Sequence, residues 1–248
     1  MKNIFVAIAV ILILTSCEKG ESNEPIIIKG SGEINDEIDA FRNLLGDPLN
    51  NTTGVTGGRR EIDWDGVPDD LMGQALPNDF FNPVGPGAVV SRQRGLAYVS
   101  GGEFRVSNTG FSDLNDSGAD QLIPFSGDKV FANISSIDWE IEFEEPGQHI
   151  GASVRGFGAV FTDVDKESSV FLEFFNGTKK LAKIFVPKKN DSSPHSFLGI
   201  YFSNGDVITR IRVHHGGRLI ENEKDITDGG SADLIALDNF FYDEPIAR

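Results

Sequence analysis

The chain has 248 residues and a formal net charge of −16, with 38 acidic residues against 22 lysines and arginines. A surface so acidic repels nucleic-acid phosphates and gains nothing from anionic lipid headgroups, but it suits neutral glycans, cations and basic protein partners. Its one cysteine, Cys17, excludes an internal disulfide and any cysteine-based metal centre.

Met1-Lys2-Asn3 is a short basic start, Ile4 to Leu14 is an unbroken apolar run, and Leu14-Thr15-Ser16-Cys17 follows. A helix of that length covers about 16 Å, roughly half of a hydrocarbon core, so it suits a signal-peptide core and not a membrane span. Leu14 to Cys17 resembles the lipobox of bacterial lipoprotein precursors. The resemblance implies cleavage before Cys17, lipidation of its sulfur, membrane attachment through that lipid, and a cell-envelope address facing the periplasm or the exterior. The plainer alternative is an ordinary secretory signal with an incidental cysteine. On the lipoprotein reading, residues 1–16 are a signal peptide and 17–35 a lipidated flexible tether, although Pro25 to Ile28 could instead add an edge strand. Residues 36–248 then form one domain.

Ile38, Phe41, Leu44 and Leu45 recur at helical spacing, with Asn35 or Asp36 as N-cap candidate and Gly46 as stop. After a turn-rich stretch from Leu49 to Gly58 the period becomes two. Ile137, Trp139, Ile141 and Phe143 alternate with Asp138, Glu140, Glu142 and Glu144, which predicts a half-buried strand. Val170 to Phe175, Asn176-Gly177 and Leu181 to Val186 predict a hairpin, and Phe197 to Phe202, Ser203 to Asp206 and Val207 to Val213 repeat that layout. Weaker strands are expected at 59–64, 94–99, 103–107, 128–133, 153–162 and 233–242. About ten short strands with one early helix predict an all-β fold, an antiparallel, jelly-roll-like β-sandwich. The 19 phenylalanines suit a dry interior between two sheets.

Three segments, Gly156 to Asp165, Ser196 to Phe202 and Ala236 to Tyr242, flank the Asn176-Gly177 strand pair. In that order they resemble a broad group of exported, surface-anchored bacterial β-sandwich domains, and Arg59 to Asp69 resembles a segment of some members. The resemblance implies fold and address, with a suggestion of adhesion, and brings no active site.

Calcium takes six to eight oxygen ligands, and jelly-roll modules often hold one between sheet edges. Asp163 and Asp165 end a strand at alternate positions, and Asp238 lies inside an apolar closing strand where a lone carboxylate is costly. These three are the candidate ligands of a structural Ca²⁺. The plainer reading has Asp163 and Asp165 capping a turn and Asp238 accepting backbone N–H bonds or pairing with an arginine. Asp113 to Asp120 is a weaker candidate that lacks the full EF-hand spacing.

Asp63-Trp64-Asp65 has the makings of a sugar platform, but alternation puts Trp64 with Ile62 in the core. Tyr98, Tyr201 and Tyr242 could line a glycan groove. There is no nucleophile elbow, zinc-protease helix, phosphate loop or dinucleotide fingerprint. Gly156-Phe157-Gly158 lacks a third glycine, and His214-His215 point to opposite faces. The leading expectation is therefore a non-catalytic envelope protein binding an extracellular polymer such as a carbohydrate. The alternatives are a glycoside hydrolase or lyase using an acidic pair, and an assembly subunit that pairs with another envelope protein.

Overall fold

A computed structural model describes residues 24–100, 102–116, 118–220 and 224–248. The signal sequence and Cys17 lie outside the described residues. The elements in chain order are β1 (Ile26–Ser31), α1 (Asn35–Leu45), β2 (Arg59–Ile62), β3 (Leu96–Ser100), β4 (Phe104–Ser107), β5 (Val130–Asn133), β6 (Asp138–Phe143) and β7 (Ala152–Ser153). There follow β8 (Gly156–Thr162), β9 (Phe171–Asn176), β10 (Lys179–Phe185), β11 (His195–Tyr201), β12 (Arg210–His214), β13 (Ala236–Asp243) and β14 (Ile246–Ala247). The fold is an all-β sandwich with one helix. A seven-stranded antiparallel sheet runs β1-β11-β8-β13-β5-β4, with β2 also beside β13, and a five-stranded sheet runs β10-β9-β12-β6-β3.

The alternation in β6 turns Trp139, Ile141 and Phe143 inward, where Leu172, Phe174, Ile211 and Val213 of the same sheet join them. The seven-stranded sheet answers with Phe157, Phe161, Leu198, Ile200, Phe240 and Tyr242. At one side of this core Phe131 stacks on Trp64, with ring centroids 4.1 Å apart and planes 6° from parallel. A register shift between Leu237 and Phe240 leaves Asp238 and Asn239 as a bulge in β13. It also returns Phe240 to the core face three residues after Leu237.

The outer face of the seven-stranded sheet is roofed. Helix α1 buries Ile38, Phe41 and Leu45 on Val160, Phe197 and Phe241, while Phe111 and Leu122 cover Val130, Ala132 and Ala236. The Gly156-Phe157-Gly158 triplet has its use here. A Cβ on Gly158 would lie 2.8 Å from the Phe41 ring, one on Gly199 2.7 Å from it, and one on Gly156 2.7 Å from Leu45. These glycines are the floor on which the helix lies. Gly199→Ala is expected to cost about 1–3 kcal/mol through overpacking against Phe41, measurable as a lower denaturation midpoint; an unchanged midpoint would mean the helix shifts freely.

Three expectations need correction. The helix is capped by Ile34, with no side-chain cap from Asn35 or Asp36, because the chain enters it directly from β1 and buries Ile34 completely; Gly46 does stop it, at φ 89°. Part of the stretch read as tether is ordered, since Ile26–Ser31 is the edge strand paired with β11, the alternative raised for Pro25 to Ile28. Finally, β11 and β12 are not a hairpin and lie in different sheets. The intervening segment crosses the sandwich, held by Phe202 N–H on Arg155 O, by the Val154–Ile208 bridge, and by Thr209 Oγ1 accepting from Gly177 N–H at 2.8 Å. The β9–β10 hairpin does form: Asn176 pairs with Lys179, Gly177 takes φ 57°, and Leu181 is bulged out.

The sandwich has two distinct ends. At the lower end β1 and β8 begin and β11 and β13 finish; at the upper end β8 runs out at Thr162, opposite His195 and Ala236.

Candidate functional site

The upper end gathers carboxylates. Asp163 follows β8 directly in a left-handed conformation, φ 68°, with its N–H donating to Pro194 O. That conformation is costly for most residues but open to Asp and Asn. Ligand oxygens of Asp163, Asp165 and Asp225 lie within 4.8 Å of one another. Lys189 Nζ bridges two of them, touching Asp163 Oδ1 and lying 2.9 Å from Asp165 Oδ1. Asp225 is held by the amides of Thr227 and Leu234, both at 2.9 Å, and Asp233 accepts from the amide of Asp165 at 2.9 Å. Backbone amides thus fix Asp225 and Asp233, Lys189 and Thr227 Oγ1 hold Asp165, and Lys189 holds Asp163, whose Oδ2 is buried without a partner.

Packing three carboxyls beside one ammonium shifts their titration. Burial pushes Asp163 up to about 7, against the pull of Lys189 and with the push of Asp225 and Asp165. Burial and the hydrogen bond shared with Asp165 push Asp225 up to about 6. Asp165 goes the other way: burial would raise it, but its bonds to Asp225, Lys189 and Thr227 together lower it. The group is under-neutralised, since one lysine answers three acids, and its donors are all hard oxygens of the kind calcium takes.

Asp238 is not part of this group. It sits in the β13 bulge, where its Oδ2 accepts the backbone N–H of Phe125 and, at 2.9 Å, of Ser126, as the plainer reading expects. Its Oδ1 is buried without a partner. Burial is the main reason its pKa rises to about 7, with Asp65 and Asp63 adding to the rise. The third carboxylate of the upper group is Asp225, which sequence reading missed. Its signal was the Asp225-Ile226-Thr227-Asp228-Gly229-Gly230 turn, in which the first aspartate caps an amide two residues on. Of the Asp113 to Asp120 stretch, residues 113–114, 116 and 118–120 lie in turns, and Asn115 Oδ1 accepts from Gly118 N–H.

The outer face of the five-stranded sheet is built differently. Phe171, Glu173 and Phe175 on β9 alternate with the inward Leu172 and Phe174, beside Arg210, Arg212 and His214 on β12. Lys183 Nζ sits 3.5 Å from the centre of the Phe171 ring, whose plane is stacked on His214 at 4.6 Å. The Arg210 guanidinium covers Phe175 at 4.2 Å and pairs with Glu140, while Glu173 meets Lys180 at 2.8 Å and Arg212 at 3.6 Å. A hollow of about 490 Å³ opens among Asp138, Trp139, Glu140 and Arg212. This face collects cations on an otherwise strongly acidic chain.

Several other candidates are absorbed into the interior. Trp64 and Trp139 are buried, as alternation predicts, so Asp63-Trp64-Asp65 offers no sugar platform. Tyr98, Tyr201 and Tyr242 are buried too, and line no open groove. His214 meets Asp138 at 2.9 Å on the open face, whereas His215 is fully buried and held by Ser136 O, so the two point apart. No family model matches the chain, and neither a curated protein nor a solved structure matches it.

Proposed function

We propose that this is a non-catalytic, lipid-anchored cell-envelope protein that binds a carbohydrate polymer across the open face of its five-stranded sheet. The observation that carries the reading is the uneven roofing of the sandwich. Helix α1 and the loop packed around Phe111 bury one outer face, while α1 does not reach the other, where Val99, Lys183 and Arg212 are exposed and Glu173 and Phe175 are covered only by lysine and arginine side chains. Glu140 and Glu173, the central acids there, are each tied to arginine or lysine, which suits holding hydroxyls and carboxylates in register better than proton transfer. The aromatic rings are already capped by cations, so recognition rests on ionic and hydrogen-bonding side chains. Arg212, half exposed beside the hollow, is the residue placed to reach a ligand.

Affinity electrophoresis through a polysaccharide panel tests the proposal. At least one polymer should retard the protein, and Arg212→Ala should weaken that retention at least tenfold while leaving the melting temperature nearly unchanged. No retardation on any polymer would overturn it. Release of reducing ends by the purified protein would favour the degrading-enzyme alternative.

The acidic group supports a structural calcium ion as part of the same proposal, with Asp163, Asp165 and Asp225 as ligands. A cation there would meet the orphaned Asp163 oxygen and release Lys189 toward solvent.

A further inference from the structure

Eleven large apolar side chains are well exposed among the described residues, and their distribution is lopsided. Scattered exposed aliphatics are ordinary and need no account; their segregation to one end does. Ile26 and Ile27 begin β1 at the lower end, opposite Tyr201 and Ile200. Leu49 is bridged to Arg59 there, Ile150 lies in the turn after β6, and Ile246 pairs with Ser153. Val84, Val89 and Val90 ride on the Pro- and Gly-rich 82–92 loop, where Val90 is 56 % exposed. That loop is fastened to the same end by Asn82 on Glu144 and Gln148 O, and by Arg94 on Asn50 O. Only Val99, Ile123 and Phe185 lie elsewhere.

Residue 26 leaves the sandwich at this end, and Cys17 is nine residues further back. Even fully extended, that stretch reaches no more than about 30 Å. The acidic group of Asp163, Asp165 and Asp225 is at the far end of β8, roughly 20 Å away. Arg59, Arg94, Arg155 and Arg248 sit near the apolar rim instead. The end nearest the tether is thus the more apolar one, and its arginines are matched by acids, Arg59 with Asp47 and Glu61 and Arg155 with Asp243.

We infer that the lower end is a membrane-contact surface whose partner is the lipid bilayer itself, with the 82–92 loop and Ile150 resting in the interfacial region. The inference rests on the lipid-anchor reading of Cys17, and deepens it by fixing orientation: the acidic end points away from the membrane, and the open sheet stands roughly upright beside it.

The test uses the mature protein, extracted from membranes and placed in phosphatidylcholine nanodiscs. With Cys17 acylated no other thiol exists, so Val90→Cys, Ile150→Cys and Ser192→Cys each carry a single nitroxide. At positions 90 and 150 the label should be at least threefold more accessible to oxygen than to a water-soluble nickel complex, relative to position 192 at the upper end. Equal accessibility at all three positions overturns the inference. So does spin–spin broadening at positions 90 and 150, which would show a second copy covering the surface. Intact mass, measured on the same samples, decides the anchor separately. If acyl chains are missing, flotation of the labelled protein with phosphatidylcholine vesicles still decides whether this end meets lipid.

Discussion

Acidifying the calcium-free protein from pH 8 to pH 6 is expected to raise its melting temperature, by about 4–8 °C. Asp163 and Asp238 titrate near 7 and Asp225 near 6 in the folded chain, all three raised chiefly by burial. In the unfolded chain the same groups titrate near the ordinary aspartate value of about 3.9. Between those values the native state binds protons that the unfolded state does not, so stability falls as pH rises through the folded values and returns on acidification. One unit of titration is worth about 1.4 kcal/mol, so the three aspartates give roughly 3 kcal/mol over this interval; His215, which charges at about 6.5 only in the unfolded chain, takes back roughly 1, and each kcal/mol left is worth about 2–4 °C. Below pH 6 the aspartates go on stabilising until the unfolded chain takes up its own protons at about 3.9, but against growing opposition. His215, buried and depressed to about 4, contributes stability above its unfolded value that is lost as pH falls toward 4. Asp165 and Glu61, both lowered by partners, lose their contribution in the same direction. With three raised groups set against these, stability keeps rising more slowly below pH 6, and its maximum lies well below that pH.

Calcium should remodel this profile. An ion on Asp163, Asp165 and Asp225 keeps them ionised, so the melting temperature at pH 8 should rise by several degrees, revert with chelator, and respond little at pH 6. Asp163→Asn keeps an acceptor for Lys189 and tolerates the left-handed backbone. It should flatten the calcium-free slope and abolish the calcium response. A melt indifferent to calcium and chelator at pH 8 would remove the ion from the proposal, and a pH-independent melt between 8 and 6 would refute the titration argument.

The second large effect is expected at Arg60. Its guanidinium is completely buried and lies against Glu244, which is 2 % exposed, at 2.7 and 2.8 Å. It also donates to Thr52 O at 2.7 Å and Gln93 O at 3.2 Å, and Glu244 accepts from Asn50 at 2.8 Å. One ion pair thus ties β2, the 50–52 loop, the 93 loop and the end of β13 together. Arg60→Ala leaves the Glu244 carboxylate buried with its charge uncompensated, which should cost about 3–5 kcal/mol. Arg60→Met combined with Glu244→Leu should recover much of that loss, because desolvating a charge is what the single change makes expensive. Urea denaturation of Arg60→Ala measures the first, and of the wild type, Arg60→Met, Glu244→Leu and their combination the second; additive losses in that cycle would show that the pair is not coupled.

What the sequence disclosed follows from which contacts are local. The strict alternation around Trp139, the hairpin at Gly177 and the helix from Ile38 to Leu45 depend on neighbours within a few residues, and all three are present. The sandwich class follows from the same signals. Which sheet a strand joins does not: β11 and β12 both read as apolar runs beside a Ser-Asn-Gly-Asp turn, and only the bridge from Val154 to Ile208 shows that the chain changes layer between them. The run from Val170 to Phe175 shows a strand but not that Phe171 and Phe175 turn outward under Lys183 and Arg210, since those side chains come from other strands. Asp163 and Asp165 were legible as a pair through spacing. Asp225 is sixty residues further on, and Asp238 resembled a partner only because a bulge cannot be seen in an otherwise regular strand.

The glycine floor under Phe41 assigns an order of events to folding. β1 and α1 leave the ribosome early, yet β1 must wait for β11 and the helix for the slot that Gly158 and Gly199 form together, so most of the chain has to be made first. Long waits of that kind slow folding and leave an apolar strand uncovered in the interval. If Cys17 is acylated as proposed, attachment to the bilayer can be complete while the nearest strand is still unplaced, and the nascent Ile26-Ile27-Ile28 segment is where a holding chaperone would find its grip.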